Sequence, residues 1–163
     1  PAHFAFCLIN SIRHVRTDDE LLAHLERMSE ALAPGAVYAV GMNVSAVGLE
    51  TPTEDVWTGA RGACRVTQLV QYIPPEPGDD DDRAERVYSH LTITTPTREI
   101  HADTQYTLRT FSGAQWRAIV DRSSLEIIAI TDEAGEPIGE PDDPRWTGAH
   151  AAGYALWLLA HRG

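Results

Sequence analysis

Four polar residues that could do chemistry lie near the start of the chain, directly after a short apolar run. The run, FAFCLI, covers residues 4–9, and the stretch after it contains Asn10, Ser11, Arg13 and His14. An asparagine side chain offers both a hydrogen-bond donor and an acceptor, a serine offers a hydroxyl, and a histidine titrates near neutral pH. These groups suit the binding of a small polar ligand, although the first two could also only close a turn before a helix.

The residues around this cluster predict a strand, a helix and a second strand. The continuous apolar run 4–9 is typical of a strand covered on both faces, as in a parallel sheet. Thr17 followed by Glu20 predicts a capping box at a helix start, and Pro34-Gly35 predicts the helix end. Residues 37–44, VYAVGMNV, predict a second buried strand. The apolar face of the helix is formed by Leu21, Leu22, Leu25, Met28 and Leu32.

This strand-helix-strand unit gives the polar cluster a position in a fold. A strand, a crossover helix and a second strand form a right-handed parallel unit. In open α/β sheets, ligands bind beyond the carboxyl ends of the parallel strands. Asn10, Ser11 and His14 follow the carboxyl end of the first strand, so we expect them to lie at the ligand-binding edge of the sheet.

The middle of the chain has a different pattern. Residues 63–73, 86–94 and 98–109 alternate partly and are rich in β-branched and aromatic residues, which predicts an antiparallel meander of three strands. Ser112 and Gln115 then predict a second capping box and helix. Strands are predicted at 125–130 and 154–160, with a long loop at 132–149 between them. The fold class is therefore α/β with an antiparallel β insert.

Composition and charge narrow the classes of function. The chain has 163 residues, 43% of them hydrophobic, which suits one globular domain. A net charge of −11 argues against nucleic-acid partners, and the acidic run Asp79–Asp82 predicts a solvated loop. No apolar run is long enough for a membrane span, and Cys7 and Cys64 form no disulfide framework, so we expect a cytoplasmic protein. Because the chain opens at Pro1 with a strand almost at once, we interpret it as the C-terminal part of a longer protein.

The ordered combination of these segments resembles the second half of class I S-adenosylmethionine-dependent methyltransferases. The stretch CLINSIRHV, a capped helix, an L-A-P-G turn and VYAVGMNV follow in the order of that fold's fourth strand, helix, turn and fifth strand. CLINSIRHV is most similar to the glycine N-methyltransferase-like and sugar N,N-dimethyltransferase branch. YTLRTFSGAQWRAIVDRSSLEIIAITD and YALWLLAHR resemble the later helix and the last two strands of that fold. The resemblance implies a Rossmann-like methyltransferase sheet interrupted by an antiparallel insert.

The resemblance also implies roles for the opening stretch. The backbone at Cys7 and Leu8 would lie near the methionine part of S-adenosylmethionine, and Asn10 and Ser11 would border the sulfonium and the methyl acceptor. His14 would face the acceptor as a general base or an orienting group. Methyl transfer mostly requires alignment of the nucleophile and a route for its proton, and a neutral imidazole suits that task.

As domain boundaries, the resemblance implies one partial methyltransferase domain over 1–163. Within it, 1–50 is the β-α-β unit, 51–107 the antiparallel insert or lid, and 108–163 an α-β-β closing unit. The acceptor, a small molecule methylated at nitrogen or oxygen, would lie between His14 and the insert.

Charged and aromatic residues of the insert are weaker candidates. Trp57, Arg61 and Arg65 could cover the acceptor or bind a carboxylate, Arg61 being the preferred substrate contact, although surface ion pairs or packing explain them as well. Opposing histidines at His90 and His101 could bind a metal, but no carboxylate or cysteine stands at ligand spacing beside them in the sequence. We therefore interpret both as exposed strand positions and predict no metal site.

One departure from the family is large. The glycine-rich cofactor loop after the first strand of these enzymes, and the acidic residue after the second, have no counterpart in this sequence. The chain alone would then be an inactive fragment with an incomplete cofactor site. The alternative is a non-catalytic α/β domain that self-associates, as a dimer or other homo-oligomer, through its insert or an open sheet edge. Another nucleotide-dependent Rossmann enzyme is a third interpretation, and it lacks the same loop.

Overall fold

The structure, a computed structural model, describes residues 1–76, 83–148 and 151–163. The chain divides into two compact units. Unit 1 comprises Pro1–Leu49 and Arg109–Gly163, and unit 2 comprises Glu50–Leu108. The acidic run Asp79–Asp82, predicted to be a solvated loop, lies outside the described residues. None of the described helices combines the length and the apolar character that crossing a bilayer requires.

Unit 1 contains five strands, a short 3-10 turn and three helices. In chain order these are β1 (Ala2–Cys7), the 3-10 turn (Ser11–His14), α1 (Asp18–Ala31), β2 (Leu32–Val44), α2 (Gly113–Arg122), β7 (Leu125–Thr131), β8 (Pro137–Gly139), α3 (Pro144–Thr147) and β9 (Gly153–His161). Unit 2 supplies β3 (Thr53–Arg61), β4 (Cys64–Ile73), β5 (Ala84–Thr94) and β6 (Glu99–Arg109), whose last residue begins the return to unit 1.

The sheet of unit 1 has the strand order β1-β2-β9-β7-β8. The first pair is parallel, with Phe4 opposite Val37 and Cys7 opposite Val40. β9 runs antiparallel to both β2 and β7. The predicted parallel strand pair and the predicted strand at 154–160 are therefore confirmed. The carboxyl ends of β1 and β2 lie at the same edge of the sheet.

Both predicted capping boxes are present. At α1 the Glu20 amide donates to Thr17 Oγ1 at 3.1 Å, and the Thr17 amide donates to Glu20 Oε2 at 3.3 Å. Ser112 and Gln115 exchange the equivalent bonds at 3.1 and 2.9 Å. These bonds satisfy amides that the first turn of a helix leaves free.

The end of α1 differs from the prediction, because the helix stops at Ala31 and Pro34-Gly35 lies inside β2. Leu32 is already extended, at φ −82° and ψ 142°. Proline disfavours helical backbone at the residue before it, so the chain leaves the helix before it reaches Pro34.

The core of unit 1 lies between one face of the sheet and the helices α1 and α2. Its fully buried members include Leu21, Leu25, Tyr38, Trp116 and Trp157. The rings of Trp116 and Trp157 meet edge to face at 6.2 Å, a favourable geometry for aromatic pairs.

The prediction that the first strand is covered on both faces is wrong for the described residues. Ala5 and Cys7 pack against the core, whereas Phe4 and Phe6 alternate to the other face and are 59% and 67% exposed. Successive strand residues point to opposite faces, and α1 and α2 both cover the core side.

Unit 2 is a sheet in the order β3-β4-β5-β6, one strand more than predicted. β4 runs antiparallel to β3 and β5. The strand that the sequence did not reveal, β3, is exposed along its whole length, so it lacks the apolar alternation that marks a half-buried strand. The core of this unit contains Val70, Val87 and Leu108, with Tyr72 packed against them.

The segment predicted as one long loop contains β8 and α3. β8 pairs with β7, and Asp143 caps α3 through a bond from the Arg145 amide at 2.9 Å. Each element has only three or four residues, too few to show a period in the sequence. Ser45 N donates to Phe111 O at 2.8 Å, so the two segments that flank unit 2 are hydrogen-bonded to each other within unit 1.

Candidate functional site

The turn after β1 has an unusual backbone. Ile9 and Asn10 are both left-handed, at φ 56° and 59°. Asparagine tolerates this region, but a β-branched residue such as isoleucine is a genuine outlier there, at a cost of about 1–2 kcal/mol. Strain of this kind concentrates at functional sites, where the surrounding structure holds it in place.

Asn10 joins the turn to the neighbouring strand. Its amide donates to Gly41 O at 3.0 Å, and its side-chain Oδ1 accepts from the Asn43 amide at 2.7 Å. Gly41 and Asn43 lie near the carboxyl end of β2. The polar turn therefore lies at the predicted edge of the sheet, beyond the carboxyl ends of the parallel strands. It follows β1 in the chain and is hydrogen-bonded to β2.

Tyr154 on β9 holds the other side of the turn. Its hydroxyl accepts from the Ile9 amide at 3.3 Å. The hydroxyl lies so close to Gly41 that a Cβ added there would stand 2.1 Å from it. Glycine is required at position 41 because only an absent side chain lets the tyrosine cross the strand and reach the turn.

The next two candidate residues, Ser11 and His14, lie at the two ends of the 3-10 turn. Ser11 Oγ donates to Leu8 O at 2.7 Å, and the Ser11 amide donates to the same carbonyl at 3.2 Å. These bonds of Ser11 close the turn, as in the simpler interpretation, whereas the bonds of Asn10 described above reach the neighbouring strand. His14 is exposed and ends the 3-10 turn, three residues after Ser11.

Arg13 is the residue of this stretch whose importance the sequence analysis missed. It is 4% exposed, and its Nε donates to Arg109 O at 2.9 Å. Arg109 in turn donates to Arg16 O at 2.9 Å and forms an ion pair with Asp18 at 3.2 Å. The sequence signal that could have found it was an arginine within a stretch of turn-forming residues. A buried guanidinium needs hydrogen-bond or ion-pair partners, so such an arginine indicates a structural anchor. The cluster anchors the chain on both sides of His14.

Cys7 faces the core rather than the turn. Burial raises the pKa of the Tyr38 phenol, and its contact with the Cys7 thiol adds to that rise. His24 of α1 lies 2.8 Å from the Tyr38 hydroxyl, and burial lowers the pKa of this histidine. The side chain of Cys7 is thus part of a polar chain in which Tyr38 is buried and Cys7 and His24 are half-buried, and this chain lies on the core side of β1.

The insert candidates lie on β3 and β4 of unit 2. Arg61 ends β3 and is exposed, and Trp57 is 51% exposed four residues before it, on the same face of the strand. Arg65 pairs with Ala60, which puts it on the other face of this sheet. The three residues therefore do not line a single surface, and Arg65 is separated from the other two.

Comparison with known proteins identifies relatives in structure and not in sequence. No family model matches the chain, and no curated protein matches it significantly. DesVI from Streptomyces venezuelae superimposes with a TM-score of 0.73 at 17% identity, over 98% of this chain and 58% of its own. An S-adenosylmethionine-dependent methyltransferase from Clostridium acetobutylicum gives a TM-score of 0.69 at 14% identity, over 99% of this chain and 58% of its own.

A third solved structure is CalS10 from Micromonospora echinaspora, an amino pentose methyltransferase with bound S-adenosylmethionine. It superimposes with a TM-score of 0.68 at 14% identity, over 98% of this chain and 58% of its own. The chain thus spans less than two thirds of the length of the structures it matches. At these identities the likeness shows the fold, and it confirms the predicted Rossmann-like methyltransferase architecture with an antiparallel insert.

Proposed function

We propose that the protein containing this chain methylates a small molecule at nitrogen or oxygen, with S-adenosylmethionine as the methyl donor. The observation that carries the proposal is the strained turn Ile9–Asn10, fixed by Asn10 to the carboxyl edge of the parallel pair. A polar turn at this edge is where such sheets bind ligands. Amino sugars are the first acceptors to test, because CalS10, which shares the fold, is an amino pentose methyltransferase.

The residues present fit one wall of a cofactor site. In this proposal the backbone at Cys7 and Leu8 contacts the methionine part of the cofactor, and Asn10 and Ser11 border the reacting groups. The left-handed turn agrees with that role, because it turns the chain sharply at the end of β1. The sequence has no glycine-rich loop, so the wall for the nucleoside must come from outside these 163 residues. When bound, the cofactor supplies a methyl group on a positively charged sulfur.

We propose His14 as the group that receives the proton of the attacking amine or hydroxyl. It is exposed, and Arg13 and Arg109 anchor the backbone beside it. An acceptor nitrogen or oxygen that received the methyl group would have to lose a proton. A neutral imidazole can take that proton at its unprotonated ring nitrogen. Asn10 is the proposed contact of the acceptor within unit 1.

The test is a His14→Asn variant of the natural protein that contains this chain. We expect turnover of an amino-sugar acceptor to fall about 100-fold, the lower end of general-base contributions, while the Kd for S-adenosylmethionine stays unchanged. His3→Asn, an exposed histidine on β1, is the matched control. If calorimetry shows that the folded natural protein does not bind S-adenosylmethionine, the proposal is wrong.

A second candidate function is self-association, favoured by the exposed side of β1. β1 is an edge strand of its sheet, and Phe4 and Phe6 lie on its outer face. An open edge with exposed apolar residues promotes pairing between chains. Sedimentation velocity at increasing concentration should show a dimer that Phe6→Lys disrupts. A monomer at every concentration argues against this function.

A cytoplasmic location is also proposed. Cys7 and Cys64 are both free thiols, as expected in a reducing compartment.

A further inference from the structure

Two histidines on neighbouring strands of unit 2 point a ring nitrogen at each other. His90 Nε2 on β5 lies 3.3 Å from His101 Nδ1 on β6. The Thr92 hydroxyl lies 3.2 Å from the first nitrogen and 3.3 Å from the second. Three polar atoms therefore form a nearly equilateral triangle on one face of the sheet.

Each histidine also contacts a carboxylate through its outer ring nitrogen, the nitrogen that faces away from the other histidine. The sequence analysis did not predict these two contacts. Asp103 Oδ1 lies 2.5 Å from His90 Nδ1, and Glu99 Oε1 lies 3.1 Å from His101 Nε2. Position 103 faces 90 across the two strands, as 99 faces 94, so alternation puts both carboxylates on the histidine face. Cross-strand pairing brings Asp103 to His90, whereas Glu99 lies two residues before His101 on the same strand.

For neutral rings, these outer contacts favour one tautomer of each histidine. A neutral histidine carries one ring proton, and a carboxylate accepts only from a protonated nitrogen. With both outer nitrogens donating to Asp103 and Glu99, the two inner nitrogens present lone pairs to each other. The Thr92 hydroxyl has a single proton and can donate it to only one of the two inner nitrogens. Within the cluster, the lone pair of the other inner nitrogen is therefore left without a proton or a cation.

We propose that this cluster binds a divalent transition-metal ion of the zinc class. His90 Nε2 and His101 Nδ1 are the protein ligands, Thr92 Oγ1 is at the third corner, and water completes the coordination. Atoms about 3.3 Å apart are the corners of a tetrahedron whose bonds are about 2.0 Å, the Zn–N distance. Histidines that bind metals almost always donate their other nitrogen to an acceptor such as a carboxylate, as both do in this cluster.

The geometry also sets the class of site. Among the described residues, no three or more His, Cys, Asp or Glu side chains are grouped as potential ligands of one ion, so the site is no closed structural zinc centre. His90 and His101 are 42% and 52% exposed, which leaves open coordination positions to water. The ion would link β5 to β6 and stabilise this hairpin, independently of the proposed methyl transfer.

Equilibrium dialysis of the full chain against Zn²⁺ tests the proposal. We expect about one bound equivalent, at least tenfold weaker binding in His101→Gln, and about tenfold weaker binding in Asp103→Asn, the usual effect of losing such a partner. His3→Gln is the matched control and should bind as the unaltered chain does. Saturating Zn²⁺ should raise the Tm of the unaltered chain and leave that of His101→Gln unchanged.

Two results would overturn the proposal. One is equal zinc retention by the unaltered chain and the His90→Gln/His101→Gln double variant, which would place the ion elsewhere. The other is a Tm that responds to pH through this pair while no zinc is retained, which would identify a shared proton in place of the metal. Circular dichroism of each variant confirms that it is folded, as expected for substitutions at exposed positions.

Discussion

The two units of the chain cover their strands very differently. In unit 1, helices α1 and α2 bury one sheet face, and large side chains such as Trp116 and Trp157 are fully enclosed. In unit 2, β3 is exposed throughout, and the buried cluster consists of Val70, Val87 and Leu108 with Tyr72 beside them. The difference teaches that unit 1 is stabilised by packing of one sheet face against its helices, whereas unit 2 depends more on its hydrogen-bonded ladder and on polar pairs.

Two tryptophans give the largest test of this comparison. Trp157 is fully buried, and its indole contacts the rings of both Trp116 and Trp146. We expect Trp157→Ala to lower the free energy of unfolding by about 3–5 kcal/mol, the range for large aromatic residues in a core. Trp57→Ala, at a position 51% exposed on β3, should cost less than about 1 kcal/mol. Denaturant titration of both variants measures the difference, and equal losses would contradict it.

Two strand glycines give the next largest contrast. Gly41→Ala should cost about 2 kcal/mol, because its Cβ would collide with the Tyr154 hydroxyl. Gly59 on β3 has open space around it, so Gly59→Ala should stabilise by about 0.5 kcal/mol. Tyr154→Phe removes the colliding oxygen, so a double-mutant cycle with Gly41→Ala should give a combined loss smaller than the sum. Strictly additive losses would show that Tyr154 is not the cause.

Two turn residues with nearly the same left-handed φ angle allow a third comparison between the two units. Unit 2 has glycine at φ 59°, Gly62, whereas unit 1 has Ile9 at φ 56°. Ile9→Asn should stabilise the chain by about 1 kcal/mol, because asparagine tolerates this region and the isoleucine side chain is 81% exposed. Gly62→Ala should destabilise it by about the same amount. Thermal unfolding checks both signs, and a destabilised Ile9→Asn would show that the isoleucine contributes packing.

The smallest expected effect concerns pH and His24, a half-buried histidine of unit 1. Burial lowers the pKa of His24 below its usual 6.5, so the unfolded chain takes up a proton before the folded chain does. The free energy of unfolding should therefore fall as the pH drops below about 6.5 towards the folded pKa. His24→Gln should flatten this part of the curve, and His3→Gln should leave it in place. A curve that stays the same in His24→Gln would assign the pH dependence to another group.

The sequence predicted unit 1 better than unit 2, for physical reasons. The capping boxes at Thr17 and Ser112 depend on neighbours three residues away, and burial imposes a visible period on the strands of unit 1. β3 faces solvent along its length, so its residues carry no such period. The end of α1 was misplaced because the effect of Pro34 reaches back along the chain.

For the candidate site, the sequence predicted where the polar turn lies but not the hydrogen bonds that hold it there. Parallel pairing puts the turn at the sheet edge whatever its side chains do. The bonds of Asn10 to Asn43, of Tyr154 to Ile9 and of Arg13 to Arg109 join residues 33 to 145 positions apart. Contacts of that range leave no pattern in one sequence. The carboxylates beside His90 and His101 are nearer along the chain, and their contacts depend on the pairing and alternation of β5 and β6.

The hydrogen bond from Ser45 to Phe111 has a consequence for how this protein can vary. The chain leaves unit 1 near Ser45 and returns to it near Phe111, and these two residues are hydrogen-bonded to each other. The length of the segment between them therefore does not strain the sheet of unit 1. The entropy of closing such a segment grows only with the logarithm of its length. Recombination can therefore exchange the whole insert for another of different size while the strand register of unit 1 is preserved.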